Sequence, residues 1–273
     1  MSLARGASRV GSVDLGTLRS FLGDALTVVD VEVRKVRHDP VELMTRAIQP
    51  ILWLVIFGQV VAKSRLIPTG NLSYLDFFAP GVLAQSALFS AIFYGIAVIW
   101  ERDLGVVHMY LASPASRLAI VTGKGLAGGV RALTQAVVVY VVAWASGVHL
   151  RLDPVSIAAV AAIVVIGSSA FATFSLAIAC LVRSRERFMG IGQVITMPLF
   201  FASSAIYPIA SMPGWLQVVA TFNPLTYQVD ALRTLMVQGA QSVHGVGVDL
   251  VVLAVTATVL IGVSSRLYPR LAQ

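Results

Sequence analysis

Charge is what this 273-residue sequence has least of. Asp, Glu, Lys and Arg make up 12% of it, against 57% hydrophobic residues, where a soluble domain carries about 25% charged residues. So small a polar fraction excludes a water-soluble globule. A mean hydropathy of +0.84, with apolar runs from end to end, makes lipid the natural solvent. The one cysteine, Cys180, sits inside an apolar run and excludes a disulfide framework or a thiol metal cluster. Residues 1–20 hold arginines but no compact apolar stretch, so no cleaved signal peptide is expected.

Reactive motifs are missing too. A phosphate cradle needs G-x-x-x-x-G-K-S/T, whereas Gly123-Lys124 is followed by Gly125 beside a span, so the chain has no ATP site of its own. Its four histidines (His38, His108, His149 and His244) are scattered without ligand spacing, so no metal site is expected. No G-x-S-x-G elbow offers a hydrolytic nucleophile. Ion-coupled transporters place ionisable groups at membrane depth, but Asp76, Asp153, Asp230 and Asp249 all lie near span ends. Arg131 is the one charge clearly inside a span. It stands about two turns from Lys124, so it either snorkels inward or contacts substrate or a neighbouring helix. A proton- or sodium-driven machine is disfavoured, and the energy must come from elsewhere.

What is present is a succession of six stretches able to cross a bilayer, at about 47–62, 77–100, 125–148, 155–182, 189–209 and 248–265. Lys and Arg number fifteen on the side of both termini and four on the other (Lys63, Arg65, Arg151, Arg233). The positive-inside rule therefore places both termini in the cytoplasm. The net charge of +7 is spread between apolar runs rather than over one basic face with stacking aromatics, which argues against a nucleic-acid partner.

Three segments do more than connect spans. Leu22, Ala25, Leu26, Val29, Val33 and Val36 share one helical face, with Asp24, Arg34, Lys35 and His38 opposite. This predicts a helix lying in the headgroup plane or packed on a partner domain, ended by Asp39-Pro40. The loop from Glu101 to Lys124 contains a short amphipathic helix (Val106, Val107, Met109, Tyr110, Leu111) stopped by Ser113-Pro114. From Pro208 to Asp249 the chain is extracytoplasmic by charge yet apolar. Met212–Val219 reads as a helix with Pro213 near its start, Asn223-Pro224 breaks it, and Leu225–Val237 reads as a second helix with Asp230 and Arg233 at i, i+3.

These residues resemble the ABC-2 type permease family, particularly its daunorubicin-resistance and nodulation-type exporters, over roughly 24–270. The most specific stretch is Met212-Pro213-Gly214-Trp215-Leu216-Gln217, followed by Asn223-Pro224-Leu225-Thr226-Tyr227-Gln228-Val229-Asp230-Ala231-Leu232-Arg233. Glu101-Arg102 with Gly105, then Ala112-Ser113-Pro114 and Lys124, is similar to the loop that docks on the ATPase.

The resemblance implies an all-α polytopic membrane protein with six transmembrane helices. It divides the chain into a cytoplasmic tail (1–20), an interfacial helix and elbow (21–46), a transmembrane domain (47–265) and a second tail (266–273). It further implies a coupling helix carrying Glu101, Arg102, Asp103, Gly105, Ser113, Pro114 and Lys124. A re-entrant hairpin before the last span would serve as outer gate, with Pro213, Trp215, Asn223, Pro224, Asp230 and Arg233. Two permease subunits, alike or different, would work over two ABC ATPase subunits in a bacterial plasma membrane. The chain itself would bind no cofactor, ATP and Mg sitting on the partner ATPase. Cargo in the family ranges from drugs, lipids and polyketides to polysaccharides and glycolipids. The aromatic residues Phe89, Phe93, Tyr94, Phe200, Phe201 and Tyr207 would line a route for an amphipathic substrate or simply pack against lipid and helices. An ion-driven transporter or a membrane scaffold is the competing class.

Overall fold

The computed structural model describes residues 21, 23–31, 34, 48–65, 67–182 and 184–272. Among these residues the protein is all α, with one isolated antiparallel bridge between Leu150 and Val237. The helices are α1 (23–31), α2 (Ile48–Ser64), α3 (Tyr74–Asp103), α4 (Val106–Ala112), α5 (Arg117–Ala145), α6 (Pro154–Ala179), α7 (Arg185–Phe201), α8 (Gly214–Phe222), α9 (Pro224–Met236) and α10 (Val246–Leu267). Four of them, α3, α5, α6 and α10, are long and apolar enough to cross a membrane.

Polar residues in the sequence set where these helices begin. Ser73, Ser116, Asp153 and Ser184 each accept a backbone N–H from the first turn of α3, α5, α6 and α7. Pro154 and Pro224 occupy first-turn positions where a missing N–H costs nothing. The Ser156 backbone N–H also holds the exposed Asp153 carboxyl below the usual carboxylate range. Gly105 takes φ +76° between α3 and α4, a left-handed conformation that lets the chain turn sharply there.

Small residues set how closely the helices approach. Along α5, Gly125, Gly128 and Gly129 face α6 so tightly that a Cβ on each would lie 2.5 Å from Thr173 Oγ1, Ala172 Cβ and the Val165 carbonyl oxygen. In lipid, where hydrophobic burial drives no helix association, such backbone proximity supplies the dispersion contact that does. Gly81 meets the Ala205 backbone and Gly95 meets Ser175 in the same way. The Ser175 hydroxyl accepts the Gly95 N–H and donates to the Ile92 carbonyl, stitching α6 to α3. In the most apolar stretch of α3, 78% of residues are buried, against 11% in that of α10. Thus α3 is the core and α10 an outer helix, fastened to α6 by the Ser264 hydroxyl on the Thr173 carbonyl at 2.8 Å.

Two expectations change. The first predicted span, 47–62, falls as expected on a helix whose described residues are Ile48–Ser64. The fifth, expected to run from 189 to 209, stops at Phe201, three residues after Pro198, and turns through 202–207. In the amino-terminal helix the buried residues are Ala25 and Val28, while Leu26 is exposed. Packing there is governed by Gly123 of α5, which meets the Ala25 carbonyl and Val28. Leu22, Val33, Val36 and the Asp39-Pro40 elbow lie outside the described residues.

Candidate transport pathway and coupling surface

At one end of the bundle, α4 and the start of α7 form a polar layer. Glu101 and Lys124, predicted on the docking loop, are instead inside it, because α3 continues to Asp103 and α5 already begins at Arg117. Lys124 is 0% exposed, its Nζ lies 2.5 Å from Glu101 Oε2, and it sits 4.9 Å from the Tyr110 ring centroid of α4. Asp103 takes hydrogen bonds from Arg102 at 3.0 Å and from Arg185 at 2.6 Å, while Arg102 also donates to the Val182 carbonyl. Arg185 covers the Trp100 ring at 3.6 Å. Ser113 closes α4 by donating to the Tyr110 carbonyl, and Pro114 follows it, exposed. These contacts anchor one side of α4 and leave Leu104, His108, Met109 and Ala112 facing outward. The outward face is therefore apolar, and the charged residues brace it from behind.

A cavity of about 630 Å³ opens between α3 and α5, with Gln49 of α2 at its rim. One face of α3 lines it, as Ser86, Phe89, Ser90, Phe93, Ala97 and Trp100 recur at helical spacing, and Arg131 and Gln135 of α5 stand opposite. Phe89 and Phe93 are half-buried with ring centroids 5.8 Å apart. Arg131 lies on this wall, 5.5 Å from the Tyr94 ring. The remaining predicted aromatics are elsewhere. Tyr94 is buried behind the wall, and Phe200 is fully buried 5.8 Å from Trp53 and 5.5 Å from Phe201. Phe201 is exposed, and Tyr207 donates to its carbonyl at 2.6 Å. The structure therefore brings together two of the six, plus an arginine.

At the opposite end the hairpin forms as α8 and α9. Pro213 precedes α8, and Trp215, Val218, Val219 and Phe222 are exposed along it at i, i+3, i+4 and i+7. Asn223 has three tasks. Its Oδ1 accepts the Leu225 N–H to start α9, and its Nδ2 donates to the Leu199 and Ala202 carbonyls that the end of α7 leaves open. Asp230 and Arg233 do not pair with each other. Asp230 accepts from Ser242 and from the Val243 and His244 backbone, whereas buried Arg233 donates to the Phe77 and Ser204 carbonyls and covers the Phe77 ring. Four backbone carbonyls thus receive side-chain donors from the hairpin.

The sequence profile described as ABC-2 type transporter matches residues 24–237. The chain belongs to that family. A curated relative is the daunorubicin resistance ABC transporter permease protein DrrB1 of Streptomyces coeruleorubidus, 28% identical over 241 residues, covering 85% of this chain and 81% of the relative. The ycf38 protein of Cyanophora paradoxa is 28% identical over 222 residues, 79% of this chain and 74% of its own. Nodulation protein J of Rhizobium leguminosarum bv. trifolii is 26% identical over 197 residues, 71% and 73% of the two chains.

This ABC-2 permease is a multi-pass membrane protein of the transporter class, not itself an enzyme. Its sequence hid Arg185, which joins the start of α7 to the end of α3, as well as Gln49, Trp100 and Gln135 around the cavity. The wall residues could have been found by asking which polar positions of a predicted span share one helical face with Phe89 and Phe93.

Proposed function

We propose that this permease pairs with a second permease subunit and an ABC ATPase to export an amphipathic substrate bearing an apolar body and an anionic or hydrogen-bonding group. The cavity carries this reading. Stacked Phe89 and Phe93 offer an aromatic surface, and Arg131 with Ser86, Ser90 and Gln135 offers polar partners in the same space. The drug-resistance name of one relative supports an outward direction.

ATP closure of the partner would press on Leu104, His108 and Met109. Because Tyr110, Lys124 and Glu101 form one chain of contacts, a tilt of α4 carries into α3 and α5, which bound the cavity. The exposed apolar side of α8 would rest in the outer leaflet or on the second subunit. Both termini would face the cytoplasm, an orientation the charge asymmetry supports, in a bacterial plasma membrane.

The experiment is reconstitution with the ATPase that co-purifies, in vesicles, with an amphipathic dye as cargo. Phe89→Ala with Phe93→Ala is expected to abolish dye stimulation of ATP hydrolysis while leaving the basal rate intact. Wild-type stimulation in that double variant would remove the cavity from the pathway. Uphill transport by the permease alone would remove the ATPase.

A further inference from the structure

The hairpin end also carries a cluster that neither the cavity nor the coupling surface uses. Asp230 of α9, His244 in the turn after it and Asp249 in the first turn of α10 each present one ligand atom, and the three atoms lie within 4.8 Å of one another. Both carboxylates are deeply buried, Asp230 at 2% exposure and Asp249 at 0%. Two neighbouring buried carboxylates repel each other and have lost hydration, so a cation or a proton must compensate.

Their partners divide unevenly. Asp230 accepts from Ser242 Oγ at 2.7 Å and from the Val243 and His244 N–H groups at 2.9 and 3.1 Å, which fix its orientation. Asp249 receives only a long contact from Ser242 Oγ at 3.5 Å, and its Oδ1 has no hydrogen-bond partner. Its place near the start of α10 favours a carboxylate, but the helix dipole offsets only a fraction of full burial. His244 Nδ1 also lacks a hydrogen-bond partner, and lies 3.4 Å from Asp230 Oδ2. Two open ligand atoms therefore converge beside a third, on a ring positioned by Tyr227 at 5.0 Å.

We propose that Asp230, His244 and Asp249 bind a divalent transition-metal cation, with Zn²⁺ the best-fitting ion. A double positive charge balances the two carboxylates. An imidazole nitrogen with two carboxylate oxygens suits Zn²⁺ better than Mg²⁺ or Ca²⁺, which take all-oxygen sets. Three protein ligands leave a fourth position for water, and His244, its side chain 28% exposed, provides the entrance. The bound ion clips the hairpin to the last helix. That helix has little other burial.

The test uses the full chain in lipid nanodiscs, stripped with a chelator and titrated with Zn²⁺ by calorimetry. One Zn²⁺ per chain is expected, with a rise in Tm of several degrees. Asp249→Asn and His244→Gln should each weaken binding by more than ~10-fold, the lower end of what losing even an outer partner of a metal ligand costs. In chelator, Asp249→Asn should melt no lower than the native protein, because it removes an unpaired buried charge, and this separates loss of the site from loss of the fold. Should Asp249→Asn fail to fold, the partly exposed His244→Gln decides alone. Absence of saturable Zn²⁺ binding by the native chain, or native affinity in whichever variant folds, overturns the site.

Discussion

Lys124 touches the Glu101 carboxylate and the Tyr110 ring, with none of its side chain exposed. Removing one member of such a buried pair costs about 3–5 kcal/mol, whereas an apolar replacement of both is often neutral. Lys124→Met is therefore expected to lower thermal stability sharply, and Glu101→Gln with Lys124→Met to recover most of it. The lone buried thiol of Cys180 supplies the readout, since a thiol-reactive dye labels it only once the bundle opens. Equal losses in the single and double variants would mean the two residues act independently. From sequence, both charges are expected on the docking loop. Only the facing of α3 and α5 reveals them as partners, because nothing in a separation of 23 residues encodes which helix faces meet.

Among elements, the break after α7 shows what was legible and what was not. Length and hydropathy made 189–209 look like one crossing, while the Pro198 signal for an earlier end was present. Missing was the knowledge that Asn223 and Arg233 supply donors to the carbonyls released there. Asn223→Ala should cost about 1–3 kcal/mol for the acceptors left unsatisfied, and should speed hydrogen exchange at 202–207 before any other segment. Exchange rising uniformly along the chain would show that Asn223 does not act locally. The hairpin helices and the α4 turn were readable, because proline, asparagine and serine act on their immediate neighbours. The Asp230–His244–Asp249 cluster was not, since its spacing follows no ligand motif and a turn at 242–245 brings it together.

For the molecule as a whole, the outward side of α4 decides how force would enter. Met109 on α4 is 74% exposed and Leu104 just before it 72%, while Tyr110 on the other side of α4 rests against Lys124. A charge placed there leaves the interior untouched. Met109→Asp is expected to reduce ATPase co-purification and transport at least tenfold, a cost of about 1.4 kcal/mol or more at the contact, with no change in Cys180 labelling temperature. Native complex formation in that variant would place the docking surface elsewhere. The all-α, membrane-embedded character was evident from scarce charge and recurring apolar runs alone. Which helix forms the centre was not, because α3 and α10 are similarly apolar and differ only in what surrounds them.

The glycine seam between α5 and α6 has a consequence for biogenesis. It joins two helices that follow each other in the chain with a short connection at 146–153, so the loop to be closed is small and its entropy cost low. That pair can zip together as soon as its second half leaves the ribosome, giving later segments a ready-made wall to dock on. Helix α10, with only 11% of its most apolar stretch buried, is then a segment that docks on that wall after it has formed.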